Sequence, residues 1–185
     1  MFDKPLVAFI GPSGVGKTSF SNRLILEHGF AQADVAHTRP SRIDDGPHHH
    51  FVDDVTFSRL EQGGAFLEVD TFTSYRYGTL AASVRVLLAD LKVSGVLLDL
   101  TPHGYDQVQA VYPDVVGIAL VPDDPSWLKK RLKFRGAESA QDQEKREALL
   151  DAYLKSVLRL DISRITVSFE PATWDVTFLE ILRLL

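Results

Sequence analysis

Residues 11–18 read Gly-Pro-Ser-Gly-Val-Gly-Lys-Thr, and no other stretch of the chain restricts its fold so tightly. The octet satisfies G-x-x-x-x-G-K-[ST] at every fixed position. It follows the apolar run Leu6–Ile10 and opens Lys17–His28, whose apolar residues recur at helical spacing. That strand–loop–helix setting is the one the pattern requires. Glycines there let successive backbone N–H groups face one anion, and the helix N-terminus adds positive potential. The expected ligand is a nucleoside triphosphate, ATP or GTP, held by Gly11, Ser13, Gly14, Val15, Gly16, Lys17, Thr18 and Ser19. Lys17 is expected against the β- and γ-phosphates, with the Thr18 hydroxyl on a magnesium ion. A phosphate cradle does not name a reaction, since switches, motors, helicases and small-molecule kinases share it.

Composition narrows the classes further. At 185 residues the chain is long enough for one domain with inserted lobes. Twenty Lys and Arg against twenty-five Asp and Glu leave a net charge of −5, which argues against nucleic acid or an anionic membrane as partner. No cysteine is present, so disulfides, thiolate metal sites and a cysteine nucleophile are excluded. Leu6–Ile10 is too short for an export signal, and the apolar run 115–121 falls far below the ~20 residues of a membrane span. A soluble, cytoplasmic protein is expected.

Short apolar runs at 6–10, 96–100, 115–121 and 164–167 read as buried strands. Between and after them, 17–28, 79–92, 103–111, 126–134 and 172–185 have helical spacing. Leu80, Val84, Leu87, Leu88 and Leu91 form one stripe; Phe178, Leu179, Leu182 and Leu185 form another. The alternation predicts an α/β, three-layer P-loop NTPase fold with a mainly parallel central sheet. Two stretches interrupt it. Residues 34–78 are rich in Gly, Pro, His and aromatics, with strand-like pieces at 50–52 and 65–69, and read as an inserted lobe. Residues 129–146 are highly charged and read as a helical lid. The core is then 1–33, 79–128 and 147–185. His48, His49 and His50 read as a solvated loop rather than a metal site.

Taken in order, the chain resembles the guanylate kinases. The cradle is the first match, and His37-Thr38-Arg39-Pro40-Ser41-Arg42 is similar to that family's threonine-arginine segment. His49-His50-Phe51-Val52, Phe66-Leu67-Glu68, Tyr77-Gly78-Thr79, Leu97-Leu98-Asp99-Leu100 and Leu132-Lys133-Phe134-Arg135-Gly136 follow, then Arg146. The resemblance implies transfer of the γ-phosphoryl group of ATP to GMP, with magnesium and with small-molecule nucleotides as partners, in a monomer or homodimer. It implies catalytic roles for Lys17, Arg39, Arg135 and Arg146, with Arg131 and Arg135 on ATP. It assigns the acceptor to Arg39, Arg42, His49, Glu68, Tyr77, Gly78, Thr79 and Thr101, and the metal to Thr18 and, through water, Asp99.

The residue chemistry is consistent with these roles. Phosphoryl transfer between two anions needs positive charge at the reacting centre, and a guanidinium grips phosphate with two parallel bonds. Arg39 and Arg42 suit the acceptor phosphate, and Tyr77 adds a hydroxyl. Arg131 and Arg135, four apart, share a helix face, whereas Lys129, Lys130 and Lys133 read as solvated. Guanine presents N1–H and N2–H2 side by side, so the Glu68 carboxylate suits it, with Thr79 donating to O6. Five features depart from the family pattern: Val35 for a hydroxyl residue, Thr101 for a second carboxylate, His49 for tyrosine, Ser168 for asparagine, and a shorter loop after Arg42. Together they thin the shell that reads the base. Two alternatives therefore stand beside GMP: another small phosphorylated acceptor such as ribose bisphosphate, or a non-catalytic binding module of the same fold.

Overall fold

All five residues of β1, Leu6–Ile10, are buried, as a strand covered by helices on both faces must be. The computed structural model describes residues 4–43, 45–72, 74–128 and 150–185. From β1 the chain passes through the glycine-rich loop into α1 (Lys17–His28), then β2 (Ala31–Gln32) and β3 (Val35–His37). β4 (His49–Phe51), α2 (Asp54–Gln62), β5 (Phe66–Phe72) and β6 (Tyr75–Leu80) follow. The chain then alternates α3 (Ala81–Ala89), β7 (Val96–Leu100), α4 (Pro102–Val111) and β8 (Val116–Pro122). After helical residues 150–157 come β9 (Ser163–Val167), a 3-10 turn at Pro171–Thr173 and the C-terminal helix Trp174–Leu182.

The strands form two sheets. The five-stranded sheet, in the order β2-β7-β1-β8-β9, is wholly parallel. One apolar cluster on it joins Phe9, Phe20, Leu24, Leu97 and Phe178; the other joins Ala8, Ile10, Val84, Leu98 and Val108. The fold is thus α/β with a parallel central sheet. The second sheet, β4-β3-β6-β5, pairs β3 with β4 in parallel, and β6 antiparallel to both β3 and β5.

Several elements differ from their sequence-based expectations for physical reasons. The helix expected over 79–92 is Ala81–Ala89, because Thr79 and Leu80 pair in β6. Of its stripe, Val84 and Leu88 are buried while Leu91 is exposed beyond the helix. In the C-terminal helix the buried face is Phe178 and Ile181, and Leu179 is exposed. Tyr77-Gly78-Thr79 lies within β6, an interior strand of the second sheet. Only the start of the expected helix 126–134 lies within the described residues.

Candidate active site

The phosphate loop leaves the carboxyl end of β1 and is shaped by two glycines in the left-handed region, Gly14 at φ 84° and Gly16 at φ 115°. Gly16 caps α1, so a residue with a Cβ there would strain the turn that starts the helix. The Lys17 ammonium donates to the carbonyl oxygens of Gly11 (2.6 Å) and Pro12 (3.3 Å) and lies 3.5 Å from Asp99 Oδ1. Asp99 is the one exposed position of β7, and its side chain is half exposed. Thr18, in the first turn of α1, and Asp99 line the same cavity, which has a volume of about 510 Å³.

Across that cavity stands the second sheet. The Arg39 guanidinium is buried, and Asp45 accepts from its Nη1 (2.9 Å) and Nη2 (2.5 Å) and from the Arg42 backbone N–H (2.6 Å). Burial pushes the Asp45 carboxyl up, but the Arg39 hydrogen bonds and the Arg42 N–H outweigh it and hold the group at about 2. Beside it, His37 Nε2 and His49 Nδ1 are 2.6 Å apart, and Tyr77 meets His37 edge-on at 5.0 Å. Burial, reinforced by a neighbouring histidine, Arg39 and Arg42 and opposed by Asp45, depresses His37 to about 3 and His49 to about 4. Both rings are therefore neutral at pH 7.

Glu68 is the most deeply buried carboxylate on the cavity wall, 5% exposed. Its Oε1 accepts from the Thr79 backbone N–H at 2.9 Å and from the Thr79 hydroxyl at 2.7 Å. Burial raises its pKa, against these two bonds. Oε2 lies against Gly104, where an added Cβ would come within 2.8 Å of it. Thr101 caps α4 by accepting from the Gly104 N–H at 3.0 Å and donates its hydroxyl to Asp70 Oδ2.

Most of the residues singled out from the sequence meet at this one cavity: the loop with Lys17, Thr18 and Ser19, then Arg39, Arg42, His49, Glu68, Tyr77, Thr79, Asp99 and Thr101. Two do not. Val15 packs into the core and donates its N–H to Pro12 O, while a Cβ at Gly78 would meet the Phe66 ring at 2.7 Å, so that glycine serves sheet packing. Arg131, Arg135 and Arg146 lie outside the described residues. The histidine run is not a solvated loop: His48 and His49 line the cavity, and only His50 is exposed. The Thr79 hydroxyl is directed at Glu68, so its part in the site is to hold that carboxylate. Sequence reasoning missed Asp45, Asp70 and Tyr153. The Tyr153 hydroxyl donates to Gly11 O at 3.1 Å and its ring meets Phe72 edge-on. No motif flags these three, although Asp70 shares the alternation of β5 with Glu68.

A parallel sheet whose central strand runs into this loop defines a P-loop nucleotide-binding protein, and a second sheet facing the loop across one cavity adds room for a second substrate. The family model for guanylate kinase matches residues 3–177. The guanylate kinase of Nitrosococcus oceani is 34% identical over 168 residues, covering 89% of this chain and 82% of that protein. That of Methylobacillus flagellatus is 31% identical over 175 residues, covering 92% and 85%. A crystal structure of guanylate kinase from Anaplasma phagocytophilum shares the fold at TM-score 0.71 and 17% identity, covering 99% of this chain and 86% of that one. The chain belongs to the guanylate kinase family, phosphotransferases that phosphorylate GMP to GDP at the expense of ATP. Among the described residues no helix is long and apolar enough to cross a membrane.

Proposed function

We propose that this chain transfers the γ-phosphoryl group of ATP to GMP, giving ADP and GDP, at the cavity between the two sheets. The observation that carries this reading is that one cavity joins the phosphate loop to a buried arginine and a buried glutamate. A guanidinium suits the acceptor's phosphate, and a carboxylate aimed into a cavity suits a base edge made of N–H donors. Ribose bisphosphate offers hydroxyls but no paired N–H edge, so it matches the buried carboxylate less well.

The loop N–H groups and Lys17 hold the β- and γ-phosphates. Residues 34–78 act as the acceptor-binding lobe: Arg39, Arg42, His49 and Tyr77 orient the GMP phosphate, and Glu68 accepts from guanine. Asp45 uses two of the guanidinium N–H groups of Arg39 and Pro40 O takes another, so the remaining donors serve the substrate. An oxygen of the GMP phosphate attacks the γ-phosphorus as its bond to the β,γ-bridging oxygen breaks; no covalent enzyme intermediate forms. By family resemblance, Arg135 and Arg146, with Arg131, bring further positive charge from the 129–146 lid and exclude water. Thr18 and, through water, Asp99 would hold magnesium, a hard cation suited to their oxygen donors. When bound, magnesium neutralises charge on the β- and γ-oxygens. The reading places the enzyme in the cytoplasm, as a monomer or homodimer.

The test is ADP release from ATP and magnesium against GMP, dGMP, AMP, CMP, UMP and ribose bisphosphate. Strong stimulation by GMP is expected; stimulation by another acceptor in its place, or by none, overturns the reading.

A further inference from the structure

Glu68 alone does not satisfy the hydrogen-bonding edge of guanine. Oε1 already accepts twice from Thr79, which uses both its lone pairs, so only Oε2 remains for a substrate. The guanine edge carries three hydrogens, one on N1 and two on the 2-amino group. A second acceptor is required, and the position that holds a carboxylate in the family pattern is Thr101 here. Asp70 stands two residues beyond Glu68 on β5, past the register shift between Phe66 and Glu68, so both side chains leave the same face and line the cavity. The Thr101 hydroxyl donates to Asp70 Oδ2, and the Thr71 N–H donates to Oδ1 at 2.7 Å. Each oxygen keeps one lone pair, and the carboxylate is held in orientation from two sides.

We infer that Asp70, positioned by Thr101, is the second base-reading carboxylate of this enzyme and accepts from the 2-amino group of guanine. The acidic function of position 101 has moved across the cavity onto β5, and Thr101 has become its orienting donor. This rests on GMP being the acceptor. It predicts discrimination against IMP, which keeps N1–H and lacks the 2-amino group.

The experiment compares KM for GMP and for IMP, with calorimetric binding of each, in the wild type, Asp70→Asn, Glu68→Gln and the double variant D70A/T101D. Asparagine still accepts from Thr101 but sets an N–H where an acceptor stood. Asp70→Asn is expected to raise KM for GMP by about tenfold or more while leaving IMP unchanged. The double variant returns a carboxylate at 101, where Asp also caps α4, and is expected to recover the GMP preference. Equal losses on GMP and IMP in Asp70→Asn, or no change on either, overturn the inference. A loss of GMP use in Glu68→Gln with the preference intact in Asp70→Asn also overturns it, while leaving the proposed function standing. A wild type that does not use GMP at all overturns the proposed function itself.

Discussion

Lys17 is mostly shielded, and its ammonium is held between the Gly11 carbonyl and Asp99. In the proposed reaction, removing it takes one positive charge from the place where negative charge would develop, an effect of about 10²–10³ in rate for a preorganised donor. Lys17→Ala is therefore expected to lower kcat by at least that factor and to change the urea midpoint little. Retention of near-wild-type turnover would contradict the placement of Lys17. Gly104 is a more indirect case. Its lack of a side chain leaves space for Glu68 Oε2, which a Cβ would approach to 2.8 Å, with Thr101 Oγ1 3.4 Å from it. Gly104→Ala is expected to raise KM for GMP and leave KM for ATP unchanged, because the atoms an added Cβ would meet first belong to Glu68 and Thr101.

At the scale of elements, the second sheet rests on one aromatic ring. Phe57, the buried residue of α2, stacks on Phe66 of β5 at 4.7 Å, with the Arg76 guanidinium 4.3 Å above it. Phe57→Ala removes the ring from a site with no exposed surface, a change that costs about 3–5 kcal/mol. Because these contacts belong to the second sheet, amide exchange should accelerate more in β5 and β6 than in β1 and β7. Uniform acceleration would mean that the two sheets unfold as one unit. The second sheet is also tied to α4 through Gln107. Its amide donates to Val69 O and accepts from Val69 N–H, occupying the outer edge of β5 beside Glu68 and Asp70.

For the whole molecule, the neutral histidine pair makes stability depend on pH. His37 and His49 sit near 3 and 4 when folded and near 6.5 when unfolded, so the unfolded chain binds more protons below about 6.5. Stability is full above that pH and falls as the medium is acidified toward 4. Asp45 acts at lower pH: held at about 2 against 3.8 unfolded, its contribution is present above 3.8 and lost toward 2. The urea midpoint should therefore drop between pH 7.5 and 5, with a smaller drop in His49→Gln. An unchanged midpoint in the wild type would place the two rings in a more solvated setting.

What the chain determined by itself is what short segments encode. The octet at 11–18 specifies the phosphate loop, because each constrained residue is a neighbour of the next and the glycines carry their own backbone preference. Leu6–Ile10, Val96–Leu100 and their kin specify the parallel sheet, because runs this apolar must be covered on both faces. Tertiary structure decided which polar groups are spent on one another. The pairing of β5 with β6 sets Glu68 opposite Thr79, so the threonine hydroxyl serves the carboxylate. The fold of the loop after Arg39 brings Asp45 onto its guanidinium, and the meeting of β5 with the start of α4 joins Asp70 to Thr101, 31 residues apart. Strand register, the path of the loop and the packing of β5 against α4 control these pairs. None of these is a property of any short segment, so only the folded chain shows them.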